Sequence, residues 1–105
     1  MKVRIVENST LARIAAWKMG TQKVALTLGR TIYLHKTSKA QLLSDSDWLC
    51  HELAHVKQFL RYGLIPFLFL YLWESVRRGY YYNRFEVEAR AAEKDRTLLA
   101  LFNCI

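Results

Sequence analysis

A chain of 105 residues with 52% apolar residues is long enough for one modest core and too apolar for a disordered chain. Its two cysteines form no Cys-x-x-Cys pair, which argues against a zinc ribbon or finger and leaves them as free thiols. The formal charge of +7 suits anionic partners or surfaces, but no nucleic-acid-binding signature accompanies it, so nucleic acid is not an expected partner.

Taken in order, Lys2–Val6 alternates charged and apolar side chains, as a half-buried first strand does. Asn8, Ser9 or Thr10 can cap a helix over Leu11–Lys18, with Leu11, Ile14 and Ala15 as its inner stripe and Gly20 as its stop. Lys23–Leu28 and Thr31–His35 are β-rich runs about Gly29-Arg30, which predicts a hairpin. His35 reads as an exposed histidine at a strand end. Thr37–Ala40 and Ser44–Asp47 read as polar punctuation around Gln41-Leu42-Leu43.

A helix capped by Ser44, Asp45 or Ser46 and stopped near Gly63 carries Trp48-Leu49-Cys50-His51-Glu52-Leu53-Ala54-His55. His51-Glu52-x-x-His55 is the H-E-x-x-H pattern of zinc-dependent peptidases. Histidines four apart on a helix are separated by roughly 40° of arc and 6 Å of rise, so both imidazoles reach one ion. Glu52 lies roughly 60° round from His55, where it can take a proton from an activated water. Leu42, Leu49, Leu53, Val56 and Leu60 cluster on another face, which predicts burial of that side. Cys50 and His51, being adjacent on the helix, do not face each other as a nucleophilic pair.

A third helix opens at Pro66 and runs to about Arg78. Its apolar run over residues 64–73 is too short to span a bilayer, which takes about 20 residues. The run is read as a core helix. Docking on a membrane surface or a protein partner is the alternative, with Arg61, Arg77, Arg78, Tyr71 and Trp73 flanking it as interfacial residues do. A last helix is expected from about Arg84 to Phe102.

A catalytic zinc takes three protein ligands, and Glu74, Glu86, Glu88, Glu93 and Asp95 follow His55. Glu74, beside two arginines, reads as an ion-pairing cap. Glu86 and Glu93 share a helix face, and Glu88 points roughly 200° away from Glu86. Residues 49–58 followed by Asn83-Arg84-Phe85-Glu86-Val87-Glu88-Ala89 resemble the gluzincin class of metallopeptidases. The second segment is similar to the E-x-x-A-D signature of membrane-linked prenyl-protein and heat-shock-induced zinc peptidases. The chain also resembles the small metallopeptidase-like domains of contractile-injection-system clusters.

The resemblance implies an α+β, minimal zincin-like domain over residues 1–105: a small N-terminal sheet or hairpin, the H-E-x-x-H helix and two further helices. It implies Zn2+ held by His51, His55 and Glu86 (three residues before Ala89), with Glu88 as the alternative, and Glu52 as general base. The expected substrate is a peptide or protein. Tyr80, Tyr81 and Tyr82 are candidate donors to the oxyanion, and the strand around Thr31–Leu34 is a candidate edge for an extended substrate. Arg90 stands where the pattern has an aspartate that orients a ligand histidine, so Glu93, Asp95 or a backbone carbonyl is expected in that role. The first residues contain no apolar leader, giving an expectation of a cytoplasmic location.

Overall fold

The computed structural model describes residues 1–20 and 22–104. Strand β1 (Lys2–Val6) lies parallel to β3 (Thr31–His35), with Arg4 opposite Thr31 and Val6 opposite Tyr33. β3 in turn pairs antiparallel with β2 (Val24–Leu28) through the two-residue turn Gly29-Arg30, where Gly29 takes φ +64°. A two-residue β4 (Asn103–Cys104) joins the other side of β1, so the sheet order is β2-β3-β1-β4. The architecture is α+β, as the residue pattern predicts.

Alternation along β3 assigns the two faces of the sheet. Ile32 and Leu34 join the main core with Leu42, Leu49, Leu53 and Val56, whereas Tyr33 faces the other way with Val24. That second face is covered by α1 (Thr10–Met19), capped by Ser9 and closed by Gly20 in the left-handed region. The inner stripe of α1 is Ala12 and Ala16, with Ala15 partly buried, not the expected Leu11, Ile14 and Ala15; Leu11 and Ile14 are exposed. Small side chains let this helix lie close to β2 and β3, so the large ones face outward.

The segment expected to be punctuation contains a helix, α2 (Lys39–Ser44), held by a capping box between Ser38 and Gln41. Asp45 then caps α3 (Ser46–Tyr62), which carries nine buried residues and forms the centre of the main core. Gly63 ends α3, and α4 (Leu64–Tyr82) follows at once, bent 118° from it. Gly79, at φ +77° and ψ 168°, breaks α4 and sets Tyr80–Tyr82 off as a separate turn. Only Phe67 and Glu74 of α4 are buried. The core reading of residues 64–73 therefore holds for one stripe alone: Phe67 meets Phe59 and Phe85 at ring separations of 4.5 and 4.8 Å, and the opposite face is open. α4 packs on α3 and α5 and meets the sheet at Leu28, which joins the cluster around Phe67, while its outer stripe stays open.

The expected last helix is broken as well. α5 (Arg84–Ala91) passes into a 3₁₀ turn (Ala92–Lys94), and α6 (Thr97–Leu101) restarts after Asp95. Asp95 caps Thr97 through its carboxylate and accepts the Cys50 S–H through its carbonyl at 3.4 Å. The break turns the chain so that Leu98 and Phe102 enter the core and Asn103 reaches β1.

Candidate metal centre

The apolar face of α3 is fixed against the sheet, which leaves His51, Glu52 and His55 facing the cleft between β2, α3 and α4. His51 Nε2 and His55 Nε2 converge on one atom, Glu86 Oε1, at 3.1 and 3.2 Å. Ligand-capable atoms of these three residues lie within 4.8 Å of one another, positioned to hold a metal ion. Tetrahedral donors about 2.0–2.1 Å from an ion lie roughly 3.3 Å apart, close to the two histidine–glutamate distances.

Glu86 owes its aim to the start of α5. Asn83 is fully buried; its amide donates to Tyr71 O and Ser75 Oγ at 3.0 and 2.9 Å, and its Oδ1 caps Phe85 N at 2.9 Å. Glu74 accepts from Arg84 N at 3.2 Å and pairs with Arg78 at 3.5 Å, the capping role its position predicts. Glu86 thus sits in the first turn of α5, where the helix dipole favours negative charge. The Tyr71 hydroxyl donates to Glu86 Oε2, leaving Oε1 toward the histidines.

Both histidines are oriented from behind. Glu93 Oε2 lies 2.9 Å from His51 Nδ1, so the carboxylate expected to stand in for the missing aspartate is Glu93. Gln58 Oε1 lies 2.9 Å from His55 Nδ1. The amide assignment follows from the other end of Gln58, whose Nε2 donates to Phe85 O and Glu88 Oε1, both at 3.0 Å. His55 Nδ1 must then carry the proton that Gln58 accepts, which leaves Nε2 as its ligand atom. Glu88, the alternative third ligand, is occupied with Gln58 and stands outside the trio. Arg90 instead reaches the turn after Gly79, donating to Tyr81 O with its guanidinium 4.0 Å over the Tyr81 ring.

Electrostatically the centre demands positive charge. Burial opposes protonation of His51, yet the hydrogen bond to Glu86, the charge of Glu52 and the hydrogen bond to Glu93 raise its pKa to about 9. His55 is raised against the same burial penalty, chiefly by Glu86 and Glu52. Burial likewise opposes ionisation of Glu86, but hydrogen bonds from His51, His55 and Tyr71 hold its carboxyl far below the usual range. Two imidazoles and a carboxylate, with protons where a cation would sit, are the donor set of a divalent transition ion.

Glu52 lies beside the trio and is buried, which pushes its pKa up despite the nearby histidines. Its Oε1 accepts the Thr27 hydroxyl at 2.8 Å, tying it to β2. β2 pairs only with β3 among the described residues, so the open edge beside the site is Val24–Leu28. The expected edge, Thr31–Leu34, belongs to β3, which is flanked on both sides. Of the three tyrosines, Tyr80 lines the cleft with His51, Glu52 and Glu86, and Tyr81 and Tyr82 do not. Desolvation, Glu86 and Glu52 push the Tyr80 phenol up, so it stays a donor. His35 ends β3 half-buried, outside the trio.

Gln58, Tyr71, Thr27 and Asn83 were not singled out for the site by the residue pattern. Gln58 carries a signal, because i, i+3 spacing from His55 puts both on one face of α3. Tyr71, Thr27 and Asn83 reach the site only through tertiary packing.

No curated protein and no solved structure matches the chain. A family described as the eCIS core domain matches residues 1–62, from β1 to the end of the H-E-x-x-H helix, and the chain belongs to that family.

Proposed function

We propose that the protein is a zinc-dependent metallopeptidase acting as a component of an extracellular contractile injection system. The observation that carries the enzymatic reading is the meeting of His51 Nε2 and His55 Nε2 on Glu86 Oε1 with Glu52 buried beside them. Zinc bound there supplies a Lewis acid that lowers the pKa of water toward about 7.

The chain's own groups then divide the work. Glu52, held by Thr27, takes the proton from the attacking water and passes it to the leaving amine nitrogen. Its upward-shifted pKa brings it closer to the neutral range in which a general base is effective. Tyr80 donates a hydrogen bond to the charge that develops on the carbonyl oxygen. An extended peptide adds to the free edge of β2, its backbone bonding to Val24–Leu28 and its scissile bond lying over His51 and His55. Apolar side chains lining the cleft, among them Leu26, Phe59 and Leu68, exclude water around that bond.

The test pairs metal analysis with a protease assay on an unstructured protein. Glu52→Gln should keep its zinc and lose about 10²–10⁴-fold in turnover. A folded, zinc-loaded wild type that leaves a broad peptide library intact would instead make the protein a zinc-binding scaffold or targeting module.

A further inference from the structure

Apart from Leu72, which also borders the cleft, the open face of α4 is absorbed by neither the fold nor the site. At about 100° per residue, Ile65, Phe69, Leu72, Trp73 and Val76 fall within an arc of about 100°, opposite Phe67 and Glu74. All five are between 58% and 82% exposed. The polar groups of the helix lie on its inner side: the buried stripe holds Phe67 together with Tyr71, which donates to Glu86, and the capping Glu74, and the water-facing stripe is purely apolar. Large aliphatic and aromatic side chains in one contiguous stripe on an element with no outer neighbour mark a docking surface.

The charges around the stripe identify its occupant. Between Phe59 and Phe85 the basic residues are Arg61, Arg77, Arg78 and Arg84, and the sole acid is Glu74, which is buried and paired with Arg78. The Arg77 guanidinium lies 5.9 Å over the Trp73 ring, at the border between the apolar stripe and the cationic end of the helix. A second copy of this chain fits poorly, because isologous pairing would set arginine rims of equal sign against each other. A neutral apolar groove would leave the arginines without partners. An apolar stripe with an indole at its edge and an all-cationic rim matches a bilayer whose headgroups are anionic.

We infer that α4 lies in the plane of an anionic phospholipid surface, inserting Ile65, Phe69, Leu72, Trp73 and Val76 while Arg61 and Arg77 engage headgroup phosphates and Arg78, on the far side of the helix, stays with Glu74. No single helix among the described residues is long and apolar enough to cross a membrane, and α3, which with α4 forms a bent pair of sufficient length, is buried in the core, so this is attachment at the surface. The inference does not depend on peptidase activity.

Flotation of the full chain with vesicles of phosphatidylcholine and phosphatidylglycerol in equal parts, against phosphatidylcholine alone, tests it. Recovery is expected with the anionic vesicles and should fall as salt rises. The double variant Phe69→Glu, Trp73→Glu should lose at least about a hundredfold in partitioning while melting at the wild-type temperature. Arg77→Glu should lose roughly fivefold or more. Three results would overturn the inference. One is no recovery with either vesicle, which points to a protein occupant. Another is equal recovery of wild type and double variant. The third is a concentration-dependent dimer, abolished in the double variant, in a protein that ignores vesicles.

Discussion

Helices α3 and α4 are consecutive, similar in length and joined by one glycine, yet they distribute polarity in opposite ways. α3 buries Leu49, Leu53 and Val56 against the sheet and turns its functional groups to the cleft. α4 turns its polar groups inward beside Phe67, with Glu74 capping α5 and Tyr71 steadying Glu86, and leaves a stripe of large apolar residues outside. Apolar composition alone therefore does not say where a helix lies. Its neighbours do: α3 touches the sheet, α2, α4, α5 and α6, whereas α4 rests on α3, α5 and Leu28 and, among the described residues, keeps Phe69, Trp73 and Val76 exposed.

The contrast is sharpest on α4 itself, between residues two apart. Phe67→Ala should destabilise the fold by about 3–5 kcal/mol through loss of the Phe59–Phe67–Phe85 cluster, whereas Phe69→Ala should change stability by no more than about 0.5 kcal/mol. Urea unfolding of both variants measures the difference, and equal losses would show that both faces of α4 are buried in solution. A smaller effect compares how the two helices support the ion. Tyr71→Phe on α4 and Gln58→Ala on α3 should each weaken zinc binding by about 10–100-fold, read by competition with a chelating dye. Unchanged affinity in Tyr71→Phe would reduce α4 to a purely structural role.

The mildest effect is on pH. In the metal-free protein the His51 pKa is raised to about 9, so the associated stability is fully present below the ordinary imidazole pKa of about 6.5 and is lost as pH rises through 9. Chelator-treated protein should therefore melt at lower temperature at pH 9 than at pH 6.5. Zinc, which displaces that proton, should bind more tightly over the same interval. A metal-free melting temperature that climbs across it would contradict the His51–Glu86–Glu93 arrangement.

The parts of the molecule legible in the residues were those specified locally. Strand alternation, Gly29-Arg30, the Asp45 cap and His51-Glu52-x-x-His55 are short-range patterns, and each lies where its pattern puts it. Spacing on one helix brought His51 and His55 together, but selecting Glu86 over Glu88 needed a family resemblance, because the choice depends on how Asn83 and Glu74 set the start of α5. Three features escaped because they are tertiary. The alanine stripe of α1 reflects close approach to the sheet. The break at Asp95 reflects a bond to Cys50, 45 residues earlier. The open edge belongs to β2 because β1 inserts on the far side of β3.

That far side of the sheet bears on how the chain comes to fold. β1 pairs with β4, and Met1 N bonds Leu101 O across 100 residues, so this part of the sheet is closed by contacts far apart in the sequence. Closing so long a loop costs entropy before any contact returns it, and such topologies fold slowly. The hairpin and α3 are local and need none of that closure. During synthesis His51 and His55 therefore emerge well before Glu86 and Glu93 arrive to complete their surroundings. We expect a nascent chain to display two histidines without a finished site, and ion capture to mark the end of folding rather than its beginning.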